Sequence, residues 1–359
     1  MRCKNAILFC VAACLCVFAG LLLFGANLAD ASWIFATLPV VGMAEATVRK
    51  DATAHSHDIT APEALSAGEI MQLCDGRAGV TAGLNAVASG DPATVLVAGQ
   101  FTVAKIATKA VLAGGKLWWD RSASTATPIR TADSFYLGVA VDDASTTATT
   151  VVVDLNVMPT NLIELGKGQW TNAATNGLGV AAAAYGGTEL KLAFDAVAEA
   201  AMAAVYAADT VPLADGPICE MQVAIYDIGD DAALDINFGL ANGTHATDFD
   251  SVTESVVFHL DGSALDIKAE SDDGTTEVAA TDTTKNAVDD TYFEVWIDAR
   301  DLSDVKLYVD GVQVLSSTSF VLSDATGPVV PIVHVEKTSN DTTADVRVKA
   351  IEVRSTDLA

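Results

Sequence analysis

The sequence predicts an all-β protein in two parts, and three observations carry that prediction. Short runs rich in β-branched and aromatic residues recur between turn formers, with few long stretches at helical spacing. Several later runs alternate apolar with polar residues at the period of a half-buried strand. Asp310-Gly311 stands between two such runs, and Asp-Gly is the preferred pair for a type I′ hairpin, whose two central residues need positive φ.

Along the chain, the first element stands apart from the rest. Arg2 and Lys4 precede an uncharged apolar run from Ala6 to Ala26, followed by Ala29-Asp30-Ala31. A charged start, an apolar stretch and a small-x-small site form the pattern of a secretory signal. A run of about 21 residues is also long enough to span a bilayer. Met43 opens a polar segment just ahead of strand-like material, so it is a third alternative, the true initiator. Residues 1–42 are therefore an apolar leader with three readings: a mis-assigned start, a cleaved signal or a retained anchor.

Residues 43–159 contain the strand candidates Thr94–Ala98, Phe101–Ala104, Phe135–Val141 and Val151–Leu155. Regular spacing of such runs favours a small barrel or sandwich. Met158-Pro159-Thr160-Asn161 interrupts the pattern, because proline cannot donate to a central ladder, and sets the expected domain boundary. From residue 160 to 359 the texture continues in Phe293–Asp298, in Val305–Val309 turning into Val312–Val314, and in Val346–Lys349. Phe194–Tyr206 is ambiguous. Phe194, Val197, Ala201 and Val205 fall at helical spacing, yet every neighbouring segment reads as β, so strand is the expectation. The junction near residue 160 is short, which predicts domains that touch or hold a fixed angle.

Composition excludes several classes of function. Twenty Lys and Arg against 47 Asp and Glu give a formal net charge of −27, the opposite of a nucleic-acid footprint or of a partner for anionic lipid. With 51% hydrophobic and 19% charged residues, the chain can bury a sizeable core. Beyond the leader only Cys74 and Cys219 remain, which is no disulfide framework; two buried free thiols are expected.

Catalytic patterns are scarce. His55, His57, His245, His259 and His334 stand in no nucleophile elbow. His55 and His57 alternate and could share a strand face, but two ligands make only half a metal site. Glu294 and Asp298, four apart on a strand, would stand about 13 Å from each other, too far for a glycosidase pair. No catalytic or cofactor-binding residue is assigned, and the expectation is a protein that is not an enzyme. Acidic turns at Asp227, Asp230 and Asp231, and at Asp272 and Asp273, are calcium candidates against the plainer reading of solvated turns. Trp118, Trp119 and Phe101 are interface candidates. The adjacent tryptophans point to opposite faces of a strand, one into the core and one outward.

Asp58–Pro62, Leu65–Ile70, Gly79-Val80, Gly99–Lys105, Ala113–Asp120 and Leu137–Ala140, taken in order, resemble the capsid cement, or head decoration, proteins of tailed phages. That resemblance implies a small β-barrel-like domain on the outer surface of the virion, binding the major capsid protein, commonly as a homotrimer, with no active site. Gly239–Ala241, Asp289–Ile297 and Leu307–Val312 are similar to concanavalin-A-like jelly-roll modules. This second resemblance implies a β-sandwich and, in some relatives, a polysaccharide ligand. The alternative is a secreted or membrane-tethered bacterial lectin-like protein, with residues 1–42 as a working signal or anchor.

Overall fold

Between Thr47 and Ser355 nearly every regular element is an extended strand. The computed structural model describes residues 46–48, 55–83, 85–176, 180–182, 189–243 and 248–355; the leader and Met43 lie outside the described residues. In chain order the first part carries β1 (Ala46–Val48), β2 (Ser56–Thr60), β3 (Ile70–Gln72), β4 (Ala78–Thr81), β5 (Pro92–Leu96), β6 (Gln100–Ala104), β7 (Lys116–Asp120), β8 (Thr125–Thr127), β9 (Ser134–Ala140) and β10 (Thr150–Leu155). The second carries β11 (Ile163–Glu164), β12 (Trp170–Thr175), β13 (Val180–Ala182), β14 (Leu190–Phe194), β15 (Glu199–Ala207), β16 (Pro217–Asp227), β17 (Leu234–Ala241), β18 (Glu254–Asp261), β19 (Asp266–Asp273), β20 (Glu277–Asn286), β21 (Phe293–Asp298), β22 (Lys306–Val309), β23 (Val312–Val314), β24 (Val330–Asn340) and β25 (Ala344–Ser355).

The first part is barrel-like. Its six-stranded sheet runs β1-β6-β10-β9-β7-β8, and a parallel bridge from Lys105, just past β6, to Ala126 in β8 curls the sheet back on itself. Alternation explains the closure: Phe101, Val103, Leu117, Trp119, Phe135, Leu137, Val151, Val153 and Leu155 all turn inward onto one core. A four-stranded sheet, β2-β5-β4-β3, packs alongside. Asn156, at φ 60°, ties the two sheets together: its carboxamide accepts from Ala78 N and donates to the carbonyls of Ala78 and Val97.

The second part is an antiparallel β-sandwich, as its resemblance to jelly-roll modules implies. One sheet runs β13-β14-β25-β16-β21-β22-β23 with β11 also on β25; the other runs β12-β15-β24-β17-β18-β19-β20. Inward residues of the two sheets, among them Met221, Val223, Phe238, Phe258, Val295, Val333 and Val346, form a single apolar core. The ambiguous Phe194–Tyr206 stretch becomes the end of β14 and most of β15. Residues 201–205 are all buried, with Ala201, Ala203 and Val205 turned into the core shared with the facing sheet, so packing overrides the helical preference of alanine. At the tip of the β22–β23 hairpin Asp310 and Gly311 have φ of 48° and 72°, the backbone a type I′ turn needs.

Residues 156–162 carry no strand, and the parts on either side touch. Ala110, Leu112, Ile218, Trp296 and Tyr308 form an apolar cluster across the junction. Around it, the Ala110 amide donates to Gly311 O and Lys109 Nζ to Asp310 O. Arg354, 3% exposed, pairs with Glu220 and donates through Nε to Ala113 O. Arg300 bridges Asp298 and Asp143, and Lys116 pairs with Glu352. Gly114, at φ 76°, has no room for a side chain: a Cβ there would lie 2.9 Å from Arg354 Cδ.

Two expectations are corrected. Cys74 is exposed, because it falls in the turn between β3 and β4 rather than on a strand; Cys219 is buried, and both are free thiols. Phe101 and Trp119, expected at an interface, are core residues 1% and 2% exposed, since both lie on the inward phase of their strands.

Candidate functional site

The sandwich has two outer faces, and both are richer in charge than its core-facing alternation requires. On the outer face of the β16–β21–β25 sheet, turned toward the barrel, Lys116, Trp118, Arg130, Glu220, Gln222, Glu294 and Glu352 line a cleft. Trp118 is the outward member of the tryptophan pair; it packs edge-on against Tyr136 at 5.4 Å, with the Arg130 guanidinium 5.1 Å from its ring centre. Burial, with Glu220 and Asp310 nearby, pushes the Glu294 carboxyl up to about 8. Glu294 and Asp298 share strand β21, and Asp298 is engaged by Arg300, so they do not converge as an acid pair.

The opposite outer face holds the densest polar cluster. Strand alternation places Asp235 and Asn237 of β17, His259 and Asp261 of β18, Lys268 and Glu270 of β19, and His334 and Glu336 of β24 on this face; the register sets Asn237 between His259 and His334. The segment 248–252 folds over one end. Phe249 lies 5.4 Å from the His334 ring, and its amide donates to Glu336 Oε1 at 3.0 Å. The other oxygen of Glu336 stands 2.7 Å from His334 Nε2.

His259 is the centre of the arrangement. Its Nε2 lies 2.5 Å from Asp261 Oδ1 and 3.8 Å from Asp235 Oδ1; its Nδ1 lies 2.9 Å from Asn237 Oδ1 and 3.5 Å from Glu270 Oε1. Burial opposes charging the ring, but Glu270, Asp261 and Asp235 together outweigh it and hold the His259 pKa up at about 9. Burial and the nearby carboxylates of Glu336, Asp250 and Asp261 push Asp235 up to about 6 against the pull of His259. Lys268 pairs with the second oxygen of Asp261. A groove of mixed character, with Asp250, Ser255, Glu270 and Glu277 beside Phe249 and Val278, continues from His259 across the face.

The acidic turns singled out in the sequence are placed elsewhere. Asp227 accepts from Gly229 N and Thr343 Oγ1, Asp272 from Gly274 N, and Asp273 from the amides of Thr275, Thr276 and Asp324. Asp231 accepts from Ala233 N, and Asp230 is exposed beside it. Asp231 and Asp272 close their own turns, while Asp227 and Asp273 also tie theirs to the segments at Thr343 and Asp324. Among the described residues, Asp235, His259 and Asp261 are the group of at least three acidic, His or Cys side chains whose ligand atoms lie within 4.8 Å of one another. Sequence reasoning passed over them. The available signal was the pair of polar alternations Asp235-x-Asn237 and His259-x-Asp261, set in strands whose other phase, Ile236, Phe238, Phe258 and Leu260, is wholly apolar.

Comparison with known proteins adds two findings. Residues 50–155, just under a third of the chain, match the model of the phage cement protein family. No curated protein matches the sequence. Similar solved structures include the carbohydrate recognition domain of Emp46p in its potassium-bound form (12% identity, 52% of this chain and 88% of that one, TM-score 0.36). A β-1,3-glucanase from Mycobacterium marinum (12%, 54% and 99%, TM-score 0.36) and a carbohydrate esterase from the Shiga toxin-encoding bacteriophage phi24B (15%, 55% and 98%, TM-score 0.34) are also similar. Among the described residues no helix is long and apolar enough to cross a membrane.

Proposed function

We propose that this chain is a virion structural protein whose barrel-like part, residues 43–159, docks on the outer surface of a phage head as a cement, while residues 160–359 are displayed from it. The observation that carries this reading is the match of residues 50–155 to the phage cement family. A rigid β surface and many weak contacts suit such a role without titrating groups at the docking face. Assembly as a homotrimer multiplies those contacts through effective concentration. The net charge of −27 would discourage adhesion to like-charged particles and cell surfaces.

Peptide mass spectrometry of density-purified particles tests the proposal. Abundant peptides from both parts are expected, and re-addition of the full chain to heads lacking it should restore their resistance to heat. Absence from particles, with peptides recovered from cell-envelope fractions instead, would overturn it in favour of a tethered lectin-like protein. A weak polysaccharide ligand for the displayed sandwich is a second reading, favoured by the hydroxyl- and carboxylate-lined groove beside His259. A glycan array with the full chain checks it; no binding to any polyhydroxylated ligand removes it.

A further inference from the structure

We propose that Asp235, His259 and Asp261 form a binding site for one borderline first-row divalent cation, Zn2+ or its close analogues, on the outer face of the sandwich opposite the barrel. Three ligand atoms converge there. His259 Nε2 lies 2.5 Å from Asp261 Oδ1 and 3.8 Å from Asp235 Oδ1, a spread that brackets the roughly 3–3.5 Å between neighbouring ligands of a cation held at about 2.0–2.2 Å. The hydrogen bond now joining Nε2 to Asp261 occupies the position a cation would take.

The surrounding residues orient the ring as metal-bound imidazoles are oriented. Nδ1 faces Asn237 Oδ1 at 2.9 Å with Glu270 Oε1 behind it at 3.5 Å, so Nδ1 keeps its proton, and it is the Nε2 proton, shared with Asp261, that a cation would displace. Lys268 engages Asp261 Oδ2 and leaves Oδ1 for a ligand. All three ligands lie on paired strands, where neither ring nor carboxylates need be ordered by binding.

Asn237, fully buried, meets the Nδ1 side of His259 away from the carboxylates and fixes the ring there. Asp235 and Asp261 keep 29% and 32% of their side chains exposed, which leaves an open side for the waters that would complete the cation's shell. One imidazole and two carboxylates favour a borderline cation over Ca2+, which takes six to eight oxygens, and over soft cations that prefer thiolates.

The test uses the full chain stripped with chelator and titrated calorimetrically with ZnCl2, MnCl2 and CaCl2, with Co2+ absorption as a reporter of nitrogen ligation. One equivalent of Zn2+ is expected to bind in the micromolar range with a rise in Tm, more tightly than Ca2+. Asp261→Asn and Asp235→Asn should each weaken it about tenfold or more, and His259→Gln should abolish it and the Co2+ spectrum, whereas Asp230→Asn should change neither. If His259→Gln does not fold, the two Asp variants decide alone. Absence of binding and of any Tm shift in the wild-type chain, or binding that survives both Asp substitutions, would overturn the proposal.

Discussion

The two outer faces of the sandwich carry similar residues and spend them differently. On the face toward the barrel, the carboxylates other than the buried Glu294 meet a cation from across the junction or beside it: Glu220 meets Arg354, Glu352 meets Lys116, and Asp298 and Asp143 share Arg300. On the opposite face, Asp235, Asp261 and Glu270 crowd round His259 and Lys268 while Glu336 meets His334, and acids outnumber bases. Charge that is matched across a junction fixes geometry. Charge left in surplus on one face is available for a ligand.

The sharpest way to break this comparison is Arg354→Ala. It strands Glu220 and removes the bond to Ala113 O, so a loss of about 3–5 kcal/mol in denaturant unfolding is expected. A loss below about 1 kcal/mol would mean that the junction is held by its apolar cluster alone. Next comes pH. Glu294 is faced by Glu220, Glu352 and Asp310, with Lys116 and Arg130 lining the same cleft, and the folded chain retains its proton to about 8. The unfolded chain gives that proton up near the ordinary value of about 4.3, so stability falls as pH climbs from there to about 8 and is level above. Glu294→Gln should flatten this slope and gain ~1–3 kcal/mol at pH 9 while remaining neutral at pH 4, as read from Tm against pH. An unchanged slope would place the titration elsewhere.

A smaller effect is expected from Gly114→Ala, which adds a Cβ against Arg354 at a positive φ and should cost about 1–2 kcal/mol. The smallest belongs to the exposed turn. Asp230→Asn should stay within about 0.5 kcal/mol by thermal melting, because the side chain lies at the surface away from both clusters. A larger loss there would give the turn a role that neither face predicts.

The strands were legible where one side of a sheet is apolar and the other polar. Phe293–Asp298 alternates and is β21, and Asp310-Gly311 made the β22–β23 turn readable to the residue. Trp118 and Trp119 divided as adjacent strand residues must. The site was not legible in the same way. Asp235 and Asp261 become direct neighbours only through the β17–β18 register, 26 positions apart, and Glu336 reaches Phe249 through a loop that covers the sheet. Junction pairs are more distant still: nothing near Gly114 announces an arginine 240 residues away. Phe101 was misread because an aromatic residue in a strand looks the same whether its phase is inward or outward until the partner strands are known.

Strand β25 has a consequence for the order of folding. It pairs with β11, β14 and β16, lies inside its sheet, and supplies Arg354 to the junction, yet it comes after every other described strand. The barrel closes with strands drawn entirely from residues 46–155 and can form early during synthesis, whereas the sandwich must wait for its central pairing until residues 344–355 emerge. In that interval β16 has an open edge. The nascent chain is therefore most exposed to mispairing just before β25 arrives, and a pause at that point would favour exchange of β25 between neighbouring copies.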